Sequence, residues 1–343
     1  MAGTETIDVP SLTRLAADAL CCAGVSAEDA EISARVLVDA ETMGIRTHGV
    51  IRIPQYVDRV RRGGVDANAA IRIDRKAPSL AIVDGANGLG TAVGGRALAA
   101  ALEMAADTGI AWVGCRHSNH CGAMAPYALR ACDAGLVLVA GTNASTTMIP
   151  WGGSERRMGN NPLCIAAPGG DGAHVILDMA MSVAARGKIR AAQAEGTPIP
   201  EGWAVDASGL PTTDPAAALA GSLLAVGGYK GSGLSLAVDM LSGVLTGATF
   251  LTDISSWSEA PGAPSGLGHF FLLIDPDRLL GAQAFATAME RFKEIVAGTP
   301  RADAGTPVLL PGQREQERRR AALRDGVDVP GDLLAAIRKL ASG

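Results

Sequence analysis

Apolar positions along this chain change their period several times, and the changes mark its elements. From Pro10 to Cys22 and from Ser26 to Met43 they recur at helical spacing, with Ile32, Val36, Ala40 and Met43 on one face. Ser26 stands where it can cap the second helix with Asp29 three residues on, and Gly44 closes it. The segment Ile45–Tyr56 then leads into a helix ending near Arg62, which puts His48 at a junction. Leu80–Asp84 reads as a strand, Gly85–Gly90 as a turn and Ala97–Thr108 as a helix. Ile110–Val113, Leu136–Ala140, Cys164–Ala167, His174–Leu177 and Phe270–Ile274 have strand character, and Ala123–Asp133 is helical. Glu195–Asp214, with three prolines, reads as a long excursion. Leu234–Leu245 predicts a buried core helix, and Gly281–Ala297, Gln313–Arg324 and Gly331–Ala341 are further helices.

Composition narrows the class. With 343 residues, nearly half of them hydrophobic, the chain can bury a large core and divide into two domains or so. A net charge of -5 spread along the sequence argues against nucleic acid and favours a small-molecule partner. Six cysteines without regular spacing read as reduced thiols of a cytoplasmic protein. The start Met1-Ala2-Gly3-Thr4-Glu5 has no basic or apolar leader character, and Asp239 interrupts the one stretch long enough for a membrane span.

Candidate chemistry gathers in glycine-rich loops. Arg116-His117-Ser118-Asn119-His120-Cys121-Gly122 holds two of the five histidines. Cys115, His117, His120 and Cys121 could suggest zinc, but neither paired spacing nor a second distant pair is evident, so no metal is expected. The turn at Gly85–Gly90 has G-x-x-G-x-G spacing and lacks the acidic residue of a second strand, so the dinucleotide fingerprint of a Rossmann site fails. His48 could exchange a proton and Arg52, four residues on, could hold a carboxylate; a helix-end histidine and a surface arginine would look the same. Asp178 interrupts the apolar run Val175–Met181 and should have a partner, either in a site or as a cap. Gly227–Gly233 places Lys230 in a second glycine-rich loop ahead of a helix, where it could meet phosphate.

Taken together, these motifs resemble the malate/L-lactate dehydrogenase-like NAD(P)H-dependent oxidoreductases, which include ureidoglycolate, sulfolactate and diketogulonate enzymes and cyclic-imine reductases. The matching pieces stand in family order: Arg46–Pro54, Ser118–Gly122, Thr142-Asn143, Pro150–Gly153, Gly159–Pro162, Asp178–Ser182 with Arg186-Gly187-Lys188, Gly228–Gly231 and Gly268–Phe271. The resemblance implies an α+β fold: a non-Rossmann cofactor domain on a largely antiparallel sheet, plus a helical domain formed by both chain ends. The division expected is 1–76 with 285–343 for the helical domain and 77–284 for the NAD(P)-binding α/β domain. A homodimer with its active site in the cleft between domains is also implied.

By the same resemblance His48 is the proton donor, with Thr47 beside it and Asp178 completing a relay, and His120 is the proton acceptor of some members. Arg52 and Ala144 are expected at the substrate. NAD or NADP is expected along His120, Cys121, Gly122, Ala123 and Met124, along Asp178, Met179 and Ala180, at Tyr229 and Lys230, and at Gly312, Gln313 and Arg314, where Gln313 replaces the family's frequent acidic residue. The expected reaction is hydride transfer between nicotinamide and C2 of a small 2-hydroxy or 2-oxo acid of the malate, lactate or sulfolactate type, or a related cyclic imine. The alternatives are a metal-dependent hydrolase using His117 and His120, and an NAD(P)-binding protein without turnover.

Overall fold

A computed structural model describes residues 3–170, 172–303 and 305–343, so Met1 and Ala2 of the start read above lie outside the described residues. Its centre is a seven-stranded sheet whose strands run, in spatial order, Arg72–Ala77, Leu80–Asp84, Ile110–Ser118, Leu267–Ile274, Val137–Thr142, Leu163–Ala167 and Val175–Met179. Leu80–Asp84 and Ile110–Ser118 are parallel, joined through the helix Gly90–Thr108, and every other neighbouring pair is antiparallel. This is the largely antiparallel sheet expected, with helices packed on it.

The expected helices at Pro10, Ser26, Gly281, Gln313 and Gly331 form, and the Ser26 side chain accepts from Asp29 N–H as its spacing requires. One helix starts seven residues earlier than its pattern suggests. Gly90 opens it directly, because a Cβ there would come within 2.0 Å of the Asn119 carbonyl oxygen. Glycine, read as a turn residue, is here what lets a helix lie against the Asn119–His120 backbone. The excursion 195–214 contributes two short strands, Ala204–Val205 and Pro211–Thr212, to a three-stranded sheet completed by Ser222–Leu223.

Two large cores result. Val83, Leu98, Val113, Tyr127, Leu138 and Phe271 fill the space between the sheet and its helices. Leu12, Leu20, Leu37, Ile53, Tyr56, Val329, Leu334 and Ile337 form the second, so residues from both chain ends share one interior. Each fully buried side chain of this kind contributes roughly 1.5–3 kcal/mol. The expectation of a buried helix at Leu234–Leu245 is corrected. Tyr229–Asp239 continues as a π-helix over Met240–Val244, and Leu234, Met240, Val244 and Leu245 are exposed on one side. Asp239 is buried on the other, where it accepts hydrogen bonds from Asn143 (3.2 Å) and Asn161 (3.3 Å), which explains a carboxylate amid apolar residues. Among the described residues no helix is long and apolar enough to cross a membrane.

Candidate active site

The turn carrying His48 is pinned from below. After the helix Ala27–Thr42 the chain makes two 3-10 turns, Arg46–His48 and Val50–Arg52, before the helix Ile53–Arg61 begins. Buried Glu41 accepts from Val50 N–H at 3.0 Å, which orients the two turns so that His48 lines a crevice and Arg52 stands against Trp257 at its edge. Thr47 Oγ1 is 3.0 Å from His48 Nδ1. Arg52 donates to the Thr47 carbonyl (2.6 Å) and to Gln55 Oε1 (2.9 Å), and lies 5.0 Å from the centre of the Trp257 ring.

The opposite wall follows from the end of strand Ile110–Ser118. Asn119 donates to the Asn87 and Gly88 carbonyls (3.1 and 2.9 Å) and accepts from Arg59 Nη2 (2.9 Å), which holds the next residue, His120, in place. The His120 ring stacks on Trp257 at 4.5 Å and on His48 at 5.4 Å, and its Nδ1 is 2.7 Å from the Tyr56 hydroxyl. The crevice between these walls has a volume of about 60 Å³ and is lined by His48, His120, Cys121, Gly122, Ala144 and Trp257 among others.

Burial governs the electrostatics. It pushes His48 down to about 4, with the nearby Arg52 cation adding to the effect. His120 lies well below the usual histidine range, first through burial and then through His48 and Arg52. Both imidazoles are therefore neutral near pH 7. Arg52, itself held down by burial, feels the further cation Arg190.

His117 and His120 do not converge. His117 is exposed and 3.0 Å from Asp84, while His120 faces Tyr56, and no group of three His, Cys, Asp or Glu able to hold a metal exists among the described residues. The relay expected of Asp178 is also not formed by direct contact: its carboxylate accepts Ala125 N–H at 2.8 Å, at the start of the helix Ala125–Asp133, and the contact to His48 comes from Thr47. Helix-start amides attract a carboxylate through their unpaired N–H groups. Burial nevertheless pushes Asp178 up to about 6, against the lowering effect of those amides.

A raised carboxyl value means that the folded state binds the proton more tightly than the unfolded chain, so stability from this group falls as pH rises from about 4 through about 6. Asp178→Asn, which keeps an oxygen for Ala125 N–H, is expected to gain stability relative to the native chain over that window, by up to about 3 kcal/mol. Thermal melts at pH 4 and 7.5 check this; a difference independent of pH would refute it.

The other cofactor candidates occupy the same side of the sheet edge. Pro311 O accepts from Ile176 N–H at 3.0 Å, which lays Gly312, Gln313 and Arg314 along the outer strand that carries Asp178, Met179 and, just beyond it, Ala180. Gln313 donates to Glu317 at 3.0 Å and Arg314 is exposed. Val226 N–H reaches Met181 O at 2.8 Å, so exposed Tyr229 and Lys230 begin their helix close to that strand's end. Tyr229 meets Trp151 edge-on at 6.3 Å.

A nicotinamide fits the crevice wall. Cys121, Gly122 and Ala123 are buried, yet no protein oxygen accepts their N–H groups among the described residues, while the Tyr127 hydroxyl donates to the Cys121 carbonyl at 2.8 Å and the Tyr56 hydroxyl lies 3.2 Å from the His120 carbonyl. Buried donors of this kind need a partner, and a carboxamide-bearing ring supplies one. Gly122, at φ +82°, keeps the wall in a conformation that side chains disfavour, and Met124 follows with its side chain fully buried.

Sequence reasoning missed Glu41, Tyr56 and Trp257 as parts of this site, and named Asn119 only within its motif, with no role. Tyr56 had a signal, since it lies one helical turn beyond Arg52. Trp257 had none, because it comes from the irregular segment 255–266. His269 of the Gly268–Phe271 motif is buried between Ser118 Oγ and Thr142 Oγ1, 2.7 Å from each, where it ties neighbouring strands rather than lining the crevice.

Comparison with known proteins agrees with this geometry. A family model described as malate/L-lactate dehydrogenase matches residues 7–338. The (2R)-3-sulfolactate dehydrogenase (NADP(+)) of Chromohalobacter salexigens is 40% identical over 273 residues, covering 80% of this chain and 82% of that one. The ureidoglycolate dehydrogenase (NAD(+)) of Escherichia coli K12 is 34% identical, covering 94% and 92%. The solved sulfolactate dehydrogenase of Methanocaldococcus jannaschii superimposes with a TM-score of 0.91 at 34% identity, covering 98% and 97%.

Proposed function

Because the chain belongs to the malate/L-lactate dehydrogenase family and is thus an NAD(P)-dependent oxidoreductase, we propose that the crevice between His48 and His120 is where it acts on a small 2-hydroxy or 2-oxo acid. The observation that carries this reading is the juxtaposition of two neutral, stacked imidazoles with a half-buried arginine, beside a wall of unclaimed backbone donors. The nicotinamide cofactor, when bound, accepts or supplies the hydride at C2. Cys121, Gly122 and Ala123 hold its carboxamide, and the Asp178–Ala180 and Gly312–Arg314 segments, with Tyr229 and Lys230, hold the remainder.

Arg52 fixes the substrate carboxylate, and Ala144 leaves room for the carbon chain. In oxidation the hydroxyl proton passes from the substrate oxygen to His48, which is available because it is neutral; in reduction the same atom returns the proton. Thr47 holds the other ring nitrogen, so the exchanging nitrogen faces the crevice. The Arg52 guanidinium suits carboxylate substrates such as malate or sulfolactate.

A spectrophotometric screen of NADH and NADPH against 2-oxo acids and cyclic imines tests the function. Oxidation of either cofactor with members of the panel is expected; tight cofactor binding without any oxidation would favour a non-catalytic binding protein instead. The hydrolase alternative finds no support in the divergent His117 and His120 or in the relatives.

We further assign a homodimer to the exposed apolar side of the helix Tyr229–Asp239 and its π-helical extension, where Met240, Val244 and Leu245 are each 58% exposed. A patch of this kind on a soluble enzyme calls for cover. Light scattering should give twice the chain mass, and Met240→Asp with Val244→Asp should give a single chain; a native protein that runs as a monomer would refute the assignment. The six unpaired cysteines suit a reducing cytoplasm, and helical segments 1–76 and 285–343 are proposed as the domain that faces 77–284 across the cleft.

A further inference from the structure

Tyr56 is buried, and its hydroxyl has two neighbours, both belonging to His120: ring Nδ1 at 2.7 Å and the backbone carbonyl oxygen at 3.2 Å. Burial pushes the phenol further above its ordinary range, so the hydroxyl keeps its hydrogen at any working pH. An O–H donating to a carbonyl oxygen spans about 2.5–3.0 Å, so the 3.2 Å contact is too long to hold the hydrogen, whereas 2.7 Å to Nδ1 suits an O–H donor. The hydrogen therefore points at Nδ1, and the carbonyl takes only a weak second branch. Nδ1 is then the acceptor nitrogen, and in a neutral imidazole the other nitrogen must carry the proton.

Neutrality is enforced from every side of the ring. Burial contributes most, and the cations Arg52, on the helix-junction side, and Arg59, one turn beyond Tyr56 on the same helix, further disfavour a positive charge on His120; the facing imidazoles of His48 and His269 are themselves kept neutral by burial. Trp257 and His48 both stack on the ring. Arg59 is 2% exposed and brings Nη2 to the carbonyls of Gly64 and Ala263 and to Asn119, which ties together the helix, the loop of Asn119 and His120, and the segment of Trp257.

We propose that Tyr56 is a positioning residue that locks His120 in the neutral form carrying its proton on Nε2, so that His120 meets the substrate oxygen as a hydrogen-bond donor and leaves proton exchange to His48. This rests on the dehydrogenase reading above and divides the work of the two histidines, which sequence motifs leave open. His120 Nε2–H stabilises the negative charge that builds on the oxygen as the hydride arrives at C2, without giving up its proton. His48, which takes up a proton from solvent when the substrate carboxylate offsets Arg52, delivers that proton to the oxygen, forming the O–H bond and returning to the neutral imidazole. In the reverse direction the same proton returns to His48.

The test uses the full-length protein with histidine rings labelled with nitrogen-15. The His120 signals are identified by their loss in His120→Gln. In the native chain His120 is expected to show a bare Nδ1 and a protonated Nε2 from pH 6 to 8. Tyr56→Phe keeps the buried ring and removes only the hydroxyl; it should shift the Nδ1 signal, mix the two tautomers, leave the His48 signals in place and lower kcat about 10–100-fold, with the cofactor KM changed little. A protonated Nδ1 in the native chain, or an unchanged His120 spectrum in Tyr56→Phe, would overturn the proposal. The spectrum needs no substrate, so a chain that oxidises no 2-hydroxy acid but shows a bare Nδ1 would retire the dehydrogenase reading while the tautomer assignment stands.

Discussion

His48→Gln is expected to lower kcat for the preferred hydroxy acid by about 10²–10⁴-fold, the usual worth of a positioned proton acceptor. Glutamine preserves the polarity of the turn and can still face Thr47 Oγ1, 3.0 Å from the native ring, but it cannot take up the hydroxyl proton. Binding should survive, because Arg52 and the His120–Ala123 wall are untouched. Stopped-flow measurement of nicotinamide absorbance separates these effects: the cofactor Kd stays near its native value and the chemical step slows. The pH profile adds a signature. His48 is pushed down to about 4, so it remains a base as pH falls, and native kcat/KM for oxidation should decline only as pH approaches about 4. Retention of full kcat by His48→Gln would remove His48 from the chemistry.

Arg52→Leu is the second large effect, and it acts on binding. Bonds from a guanidinium to a carboxylate contribute roughly 1.5–3 kcal/mol each, so loss of the clamp should reduce kcat/KM for a monocarboxylate by about a hundredfold, mostly in KM. Leucine keeps an apolar surface against Trp257, whose ring centre lies 5.0 Å from the native guanidinium. Arg52 is also the second cause, after burial, of the lowered His48 value. Removing that cation should let His48 titrate at higher pH, moving the acid limb of the oxidation profile upward. A substrate carboxylate seated on Arg52 would act in the same direction, so substrate binding itself makes His48 a readier acid for reduction. A KM for carboxylate substrates equal to the native value would show that the clamp lies elsewhere.

Much of the fold was legible because its signals are local. Ser26 and Asp29 cap a helix through neighbouring atoms, and the helical stretches toward Gln313 and Gly331 form where their periodicity places them. The glycines at 90, 94 and 95 misled because their reason is not local: each lies where a Cβ would strike another part of the chain, at Asn119, Tyr127 and Ile32. The helix at Tyr229 misled in the opposite sense. Its apolar residues read as core, yet burial depends on what covers a face, and within one chain the face of Met240 and Val244 has no cover.

The sequence by itself determined the family, the positions of His48, Arg52, His120 and Asp178, and the failure of the Rossmann spacing, since these are matters of residue type and order. Only the tertiary structure decided their partners. Asp178 turned to the helix start at Ala125, His120 met Tyr56 from 64 residues earlier, and Trp257 arrived from an irregular segment to stack on it. Partner choice follows from packing. Cores built from both chain ends and from the sheet bring these segments together, and the low dielectric they create keeps both histidines neutral.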